Sequence, residues 1–173
     1  MGRLRRNEPL AVGPLDAAAV ELLHPRIRKI DRQECYIMGG SNPRLALEYA
    51  QDARVGPAYA VWGKTPQGVM PVGAYGATTQ DGSRIWSLWT DDLDRSMAGC
   101  ILRHTPRIVA DLMLRSPTGV LDNYVKSDND QAKRWLKLSG CFNIAERATI
   151  LGDTRAKMLH FQTKTLREVL ARV

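Results

Sequence analysis

Few side chains in this chain have chemistry to offer, and most of those stand alone. His24, His104 and His160 form no HxH or HxxxH pair, and Cys35, Cys100 and Cys141 form no CxxC, so neither a metal centre nor a disulfide framework is indicated. No Gly-x-Ser-x-Gly elbow and no Walker loop occurs. What remains sits at the ends of elements. The run Leu88-Trp89-Thr90-Asp91-Asp92-Leu93-Asp94-Arg95 leads from a strand pattern into a helix pattern. Backbone N–H groups at such a junction hold anions, but Asp91, Asp92 and Asp94 place negative charge there, which suits the helix dipole and opposes a phosphate. Asp91, Asp92 and Glu48 are candidate bases only in being acids, and exposure is the default for each. Asn129 can start a helix through a side-chain cap.

The most organised stretch is Leu121 to Phe142, LDNYVKSDNDQAKRWLKLSGCF. Val120, Tyr124 and Val125 have strand-favouring bulk after Gly119. Lys126 to Asn129 is a polar break in which Ser127 or Asp128 can cap a following helix. Ala132, Trp135, Leu136 and Leu138 recur at helical spacing opposite Lys133, Arg134 and Lys137. Gly140 falls where a left-handed residue ends a helix, and a short apolar strand starts at Cys141.

This arrangement resembles the C-terminal signature of GCN5-related N-acetyltransferases, in which Asn, Ala, Tyr, Gly and Phe fall at fixed offsets. The matching positions here are Asn129, Ala132, Leu136, Gly140 and Cys141, and Asn129, Ala132 and Gly140 keep the family's residue type. More narrowly, the run NYV, then Asn129, RWLK and Gly140 is similar to a group of podophage proteins described as acetyltransferases or internal virion proteins. The resemblance implies an acetyl-CoA site at Leu88, Trp89, Thr90, Arg95 and Asn129. It also implies a pyrophosphate loop, Arg/Gln-x-x-Gly-x-Gly/Ala, after the fourth strand. In this chain no glycine precedes Gly99 in that segment, and Arg95 stands four residues ahead of it instead of three. The tyrosine that protonates the departing thiolate in many members is replaced by Leu136, which carries no proton to give; Tyr124 or Tyr75 would have to substitute.

The elements that must position these residues read as follows. Residues 1–13 form a basic arm or an extended first segment, and 14–165 form one acetyltransferase-like domain. Asp16 caps a helix through Leu23; Pro25 interrupts; a second helical piece ends by Gly39-Gly40; Ser41 or Asn42 with Pro43 opens a third. Ala58 to Trp62, the turn Lys64 to Gly68, Val69 to Ala77, the turn Gln80 to Ser83 and Arg84 to Trp89 make a three-stranded antiparallel meander. Leu93 to Arg115 is helical, with Thr105 and Pro106 expected to restart or kink it. A strand pair near Phe142–Thr149 and Lys157–Thr163 closes the order, and residues 166–173 are a tail or short helix. The order is α+β: a mixed, mainly antiparallel curved sheet flanked by helices.

A net charge of +7 over 173 residues permits contact with nucleic acid, yet the basic residues are dispersed. No run of 18 uncharged apolar residues predicts a membrane span, and MGRLRRNEPLAVG lacks the apolar core of a signal peptide. The expectation is a protein of the virion or host cytoplasm. With the pyrophosphate loop and the proton-donating tyrosine both altered, the first reading is a virion-associated structural or accessory protein on an inactive acetyltransferase-like fold. It would need no cofactor and would contact portal, tail or internal core proteins and possibly packaged DNA. The alternative is an acetyl-CoA-dependent N-acetyltransferase acting on a host or phage amine. A DNA-binding module is a third. An open cleft between the fourth and fifth strands favours the enzyme; a filled one favours the structural role.

Overall fold

The computed structural model describes residues 9–80, 83–151 and 155–173. Each helix begins where a short polar side chain can take up an orphan N–H. Asp16 Oδ1 accepts from Ala19 N–H at 2.8 Å and starts α1 (Ala17–Leu23). A one-turn 3-10 segment, His24–Arg26, follows at Pro25. Helix α2 (Lys29–Gly39) ends at Gly40, whose φ of 62° is the left-handed stop expected there. Asn42 caps α3 (Pro43–Ala50), with Pro43 in its first turn.

Eight strands among the described residues form one sheet in the order β1-β2-β3-β4-β5-β8-β6, with β7 also on β8. The meander is β2 (Ala58–Thr65), β3 (Gly68–Thr78) and β4 (Arg84–Trp89), all antiparallel. β5 (Asp122–Lys126) lies parallel to β4. β6 (Phe142–Ile144) and β7 (Thr149–Leu151) both pair antiparallel with β8 (Ala156–Thr163), which itself pairs with β5. The expected single strand near Phe142–Thr149 is thus two short strands, and the first begins at Phe142, one residue after the Cys141 start also expected.

Part of the expected N-terminal arm is sheet. β1 (Leu10–Pro14) pairs with β2 from Leu10 opposite Gly63 to Pro14 opposite Tyr59, because Leu10 has an apolar floor of Val61 and Val72 to cover. The arginines of the arm lie outside the described residues.

One face of the sheet carries α1 and α3, whose Val20, Leu23 and Leu47 meet Ala60, Trp62, Ala74 and Leu88. The other carries α4 (Arg95–Arg115), α5 (Asp130–Ser139) and α6 (Leu166–Leu170), which bury Val109, Leu112, Met113, Leu136 and Val169 against Ala77, Ile85, Val125 and Phe161. Each fully buried side chain of that size contributes about 1.5–3 kcal/mol.

Two expectations need correction. α4 runs through Pro106 without restarting, and Thr105 is not its cap: Thr105 Oγ1 donates back to the Ile101 carbonyl at 2.8 Å. A helix-interior proline costs about 3 kcal/mol. Burial of Ile101, Val109, Leu112 and Met113 on both sides of it offsets that cost. The cap of α5 is Asn129, not Ser127 or Asp128; its Oδ1 accepts the Ala132 N–H at 3.1 Å.

Candidate active site

The site begins with an interrupted strand pair. β4 and β5 share one register pair, Arg84 with Asp122. Where the next rung of the parallel ladder would form, the Asn123 carboxamide inserts itself. Its Nδ2 donates to the Ile85 carbonyl at 2.7 Å, and its Oδ1 accepts the Tyr124 N–H at 2.8 Å. The strands diverge from that wedge. Further along β4, the Trp89 backbone is held by α2 and the residue before it: Trp89 N–H donates to Asp31 Oδ2 at 2.8 Å, and the Trp89 carbonyl accepts the Arg28 N–H at 2.9 Å. Ser87 lies midway between Ile85 and Trp89, so by the two-residue period of a strand its N–H and C=O face the same gap. Among the described residues nothing pairs with them.

A cavity of about 890 Å³ passes through this gap. Its two ends differ in charge. At the α2 end stand Arg28, Asp31, Glu34 and Cys35; at the other, Arg95 on α4 and Arg134 on α5. Arg28 is matched: its guanidinium binds both oxygens of Asp31, with Nη2 to Oδ1 at 2.8 Å and Nε to Oδ2 at 3.1 Å. Arg95 and Arg134 have no ion-pair partner among the described residues. Burial lifts the Asp31 carboxyl above its usual range, and the attraction of Arg28 only partly opposes this. Burial likewise raises Glu34, against hydrogen bonds to its Oε1 from Asn129 Nδ2 at 3.0 Å and from the Lys126 N–H at 2.9 Å. The second oxygen of Glu34 has no partner among the described residues. Burial, with the charges of Asp31 and Glu34, pushes the Cys35 thiol up to about 11, so a thiolate nucleophile is absent at neutral pH.

Of the residues singled out from sequence, Leu88, Trp89, Arg95, Asn129 and Tyr124 line this cavity. Thr90 does not: it is fully buried and its Oγ1 donates to the Val72 carbonyl, away from the gap. Asp91 is exposed and not part of the wall. Asp92 is consumed by an ion pair with Arg26, Asp94 caps α4 through Met97 N–H at 2.8 Å, and Glu48 pairs with Arg44 on the surface. The acids that counted against a phosphate are therefore largely engaged, and the first-turn N–H groups of Arg95 and Ser96 are left without partners among the described residues. Asn129 is 3% exposed with its Oδ1 and Nδ2 both bonded, so it braces Glu34 and the α5 start. Tyr75 is not in this wall; it faces a smaller cavity that adjoins the first.

Sequence reasoning missed Arg28, Asp31, Glu34, Ser87, Asn123 and Arg134. For the carboxylates a signal existed: Asp31 and Glu34 are three apart on a predicted helix and so share a face. Nothing local marks Ser87 or Asn123.

No family model matches the sequence, and no curated protein matches it either. Solved structures do. The spermidine N-acetyltransferase of Vibrio cholerae in complex with CoA and spermine superposes with a TM-score of 0.64 at 10% identity, covering 95% of this chain and 99% of that one. A GCN5-related N-acetyltransferase from Brucella melitensis gives 0.62 at 14% identity, covering 99% and 82%, and a GNAT-family acetyltransferase from Bacillus anthracis gives 0.62 at 11%, covering 92% and 96%. The chain has the GCN5-related N-acetyltransferase fold. In that fold's terms the wedge at Asn123 is the point where the central strands part. None of the described helices is long and apolar enough to cross a membrane, and no cluster of metal-ligating side chains occurs among the described residues.

Proposed function

We propose that the protein is an acetyl-CoA-dependent N-acetyltransferase acting on an amine. The observation that carries the reading is the open, charge-polarised passage between β4 and β5. A fold that had lost its cofactor would be expected to fill that gap with side chains, and this one leaves about 890 Å³ there. The structural, cofactor-free role expected first from the sequence gives way on this point; a virion location and contacts with portal, tail or DNA rest on the sequence resemblance alone.

The residues present fit the cofactor. The free Ser87 N–H and C=O offer a strand edge to an extended amide-bearing chain, as a sheet edge does to a peptide. Arg95 and Arg134, with the first turn of α4, suit phosphate groups. Bound there, the cofactor supplies an acyl group activated as a thioester. The protein's own part lies at the opposite end. An ammonium entering along α2 meets Glu34, whose unpaired oxygen takes a proton from the amine and whose other oxygen is fixed by Lys126 N–H and Asn129. The raised affinity of Glu34 for a proton makes it a better base than an exposed carboxylate. Tyr124 is the phenol in the cavity wall and stands in for the missing tyrosine at Leu136 as a proton donor.

Calorimetric titration with acetyl-CoA tests this. Micromolar binding is expected, weakened about tenfold, or ~1.4 kcal/mol, in each of Arg95→Glu and Arg134→Glu. Failure to detect binding at millimolar cofactor would defeat the proposal.

A further inference from the structure

A second cavity, of about 330 Å³, lies between the sheet and α4. Ile85, Ser87, Trp89, Ile101, Trp135 and Phe161 line both cavities, so the two meet at the splayed edge of β4. Beyond that junction the smaller one runs beneath α4 past Tyr75, Ile108 and Val109 toward β1 at Ala11 and Val12. No lysine, arginine, aspartate or glutamate is in its wall. Of its polar groups, Thr105 Oγ1 is engaged by the Ile101 carbonyl and Ser87 Oγ by the Trp89 indole N–H at 3.1 Å; the exposed His104, the Tyr75 phenol and the buried, unpartnered Trp135 indole N–H are the others. With no lysine, arginine or carboxylate to pair with a phosphate or an ammonium, the stretch walled by Val61, Ile108, Val109, Leu112 and Phe142 suits a hydrocarbon.

The size also matters. Native cores leave few voids larger than a water molecule, and an apolar cavity of about 150 Å³ is enough for benzene. A space roughly twice that takes a chain of about six to ten carbons. Access is set by β4. Its residues on the α4 face are Ile85, Ser87 and Trp89, and the middle one is small. The gap it leaves lies at the residue whose backbone faces the cofactor passage.

We infer that the smaller cavity is an acyl pocket, and that the transferase takes medium-chain acyl thioesters of coenzyme A in addition to acetyl-CoA and in preference to it. This rests on the reading of the β4–β5 passage as a coenzyme A site. The thioester lies at the Ser87 edge, and its hydrocarbon extends beneath α4 toward Ile108. The reaction balances: the amine nitrogen would form the amide bond to the acyl carbon, the carbon–sulfur bond would break, the amine's proton would pass to Glu34, and coenzyme A would leave as the thiol on a proton from Tyr124.

The test is calorimetric titration with free coenzyme A, then acetyl-, hexanoyl- and octanoyl-CoA, with octanoate as a control. Each methylene withdrawn from water is worth up to about fourfold in affinity, so octanoyl-CoA is expected to bind at least tenfold tighter than acetyl-CoA, with hexanoyl-CoA between. Ile108→Trp and Val12→Trp fill the cavity from opposite walls without touching the larger one, Val12 lying on the α4 face of β1 opposite Val61. Either should reduce the octanoyl preference below twofold and leave acetyl-CoA affinity unchanged. Equal affinity along the series in the wild-type chain overturns the acyl pocket while leaving the transferase reading standing. So does a preference that survives both filled variants, or octanoate binding as tightly as its thioester. If neither coenzyme A nor any thioester binds, the transferase reading itself falls.

Discussion

Along its β3 edge, β4 is paired from Arg84 to Trp89, whereas along its β5 edge the register holds only Arg84 opposite Asp122. One strand therefore serves as sheet on one side and as a site on the other. The closed edge is sealed by backbone bonds that any extended sequence can make. The open edge is maintained by particular side chains: Asn123 stops the ladder at Ile85, and Asp31 takes the Trp89 N–H that would otherwise seek a strand. The comparison shows that the cleft is built by its neighbours, and that β4's own sequence contributes little beyond the small Ser87.

The largest way to break the contrast is chemical. Glu34→Gln keeps an oxygen for the Lys126 and Asn129 donors but removes the base. A fall in kcat of about 10²- to 10⁴-fold is expected. Because burial raises the folded-state carboxyl above its unfolded value, the native protein binds the extra proton between those two values. Wild-type stability therefore falls as pH rises through that window, and the Gln variant loses that part of the slope. At neutral pH it should be no less stable than wild type. The wild-type rate should climb with pH through a carboxyl ionisation above the ordinary glutamate range, and the variant should lack that limb. An unchanged pH–rate profile would remove Glu34 from the role.

A smaller effect comes from the wedge. Asn123→Ala leaves the Ile85 carbonyl and Tyr124 N–H facing each other, and either they stay unsatisfied or the ladder closes by another rung. Unsatisfied groups cost about 1–3 kcal/mol; closure narrows the passage. Denaturant titration beside cofactor calorimetry separates the two. Affinity for acetyl-CoA should drop about tenfold even if stability is nearly retained, and unchanged affinity would show that something other than Asn123 parts the strands.

The fold was legible in the sequence because its signals are local: Asp16 and Asn42 at helix starts, Gly40 and Gly140 at stops, the turns flanking β3, and the apolar stripe of α5. Where legibility failed, a distant partner decided. Thr105-Pro106 reads as a break until the apolar residues on both sides are seen to be buried. Leu10 to Gly13 reads equally as arm or as extended segment until β2 offers an edge. The site was less legible still. Arg95 and Tyr124, picked by their place after or within a strand, line the cavity, whereas Thr90 and Asp91, picked from the same run, lie off its wall. Glu34 acquires its meaning from Lys126 and Asn129, more than ninety residues away, a separation that no spacing rule reaches.

The smallest expected effect sharpens the comparison from outside the site. At α6, Thr165 Oγ1 accepts the Glu168 N–H at 3.3 Å and Glu168 Oε2 accepts the Thr165 N–H at 3.0 Å, a reciprocal cap. That cap holds the fully buried Val169 against the α4 side of the core. Thr165→Ala removes one half of it and should cost about 1 kcal/mol, within the 0.5–2 kcal/mol range of such caps. Neither the Asn123 wedge nor the α2 carboxylates touch this helix, so distant sites should add independently. Denaturation should register the loss while acetyl-CoA affinity stays within twofold of wild type. If affinity fell in step with stability, the splay would be a soft feature that relaxes whenever the core loosens, and the firm edge assigned to β4 by Asn123 and Asp31 would have to be abandoned.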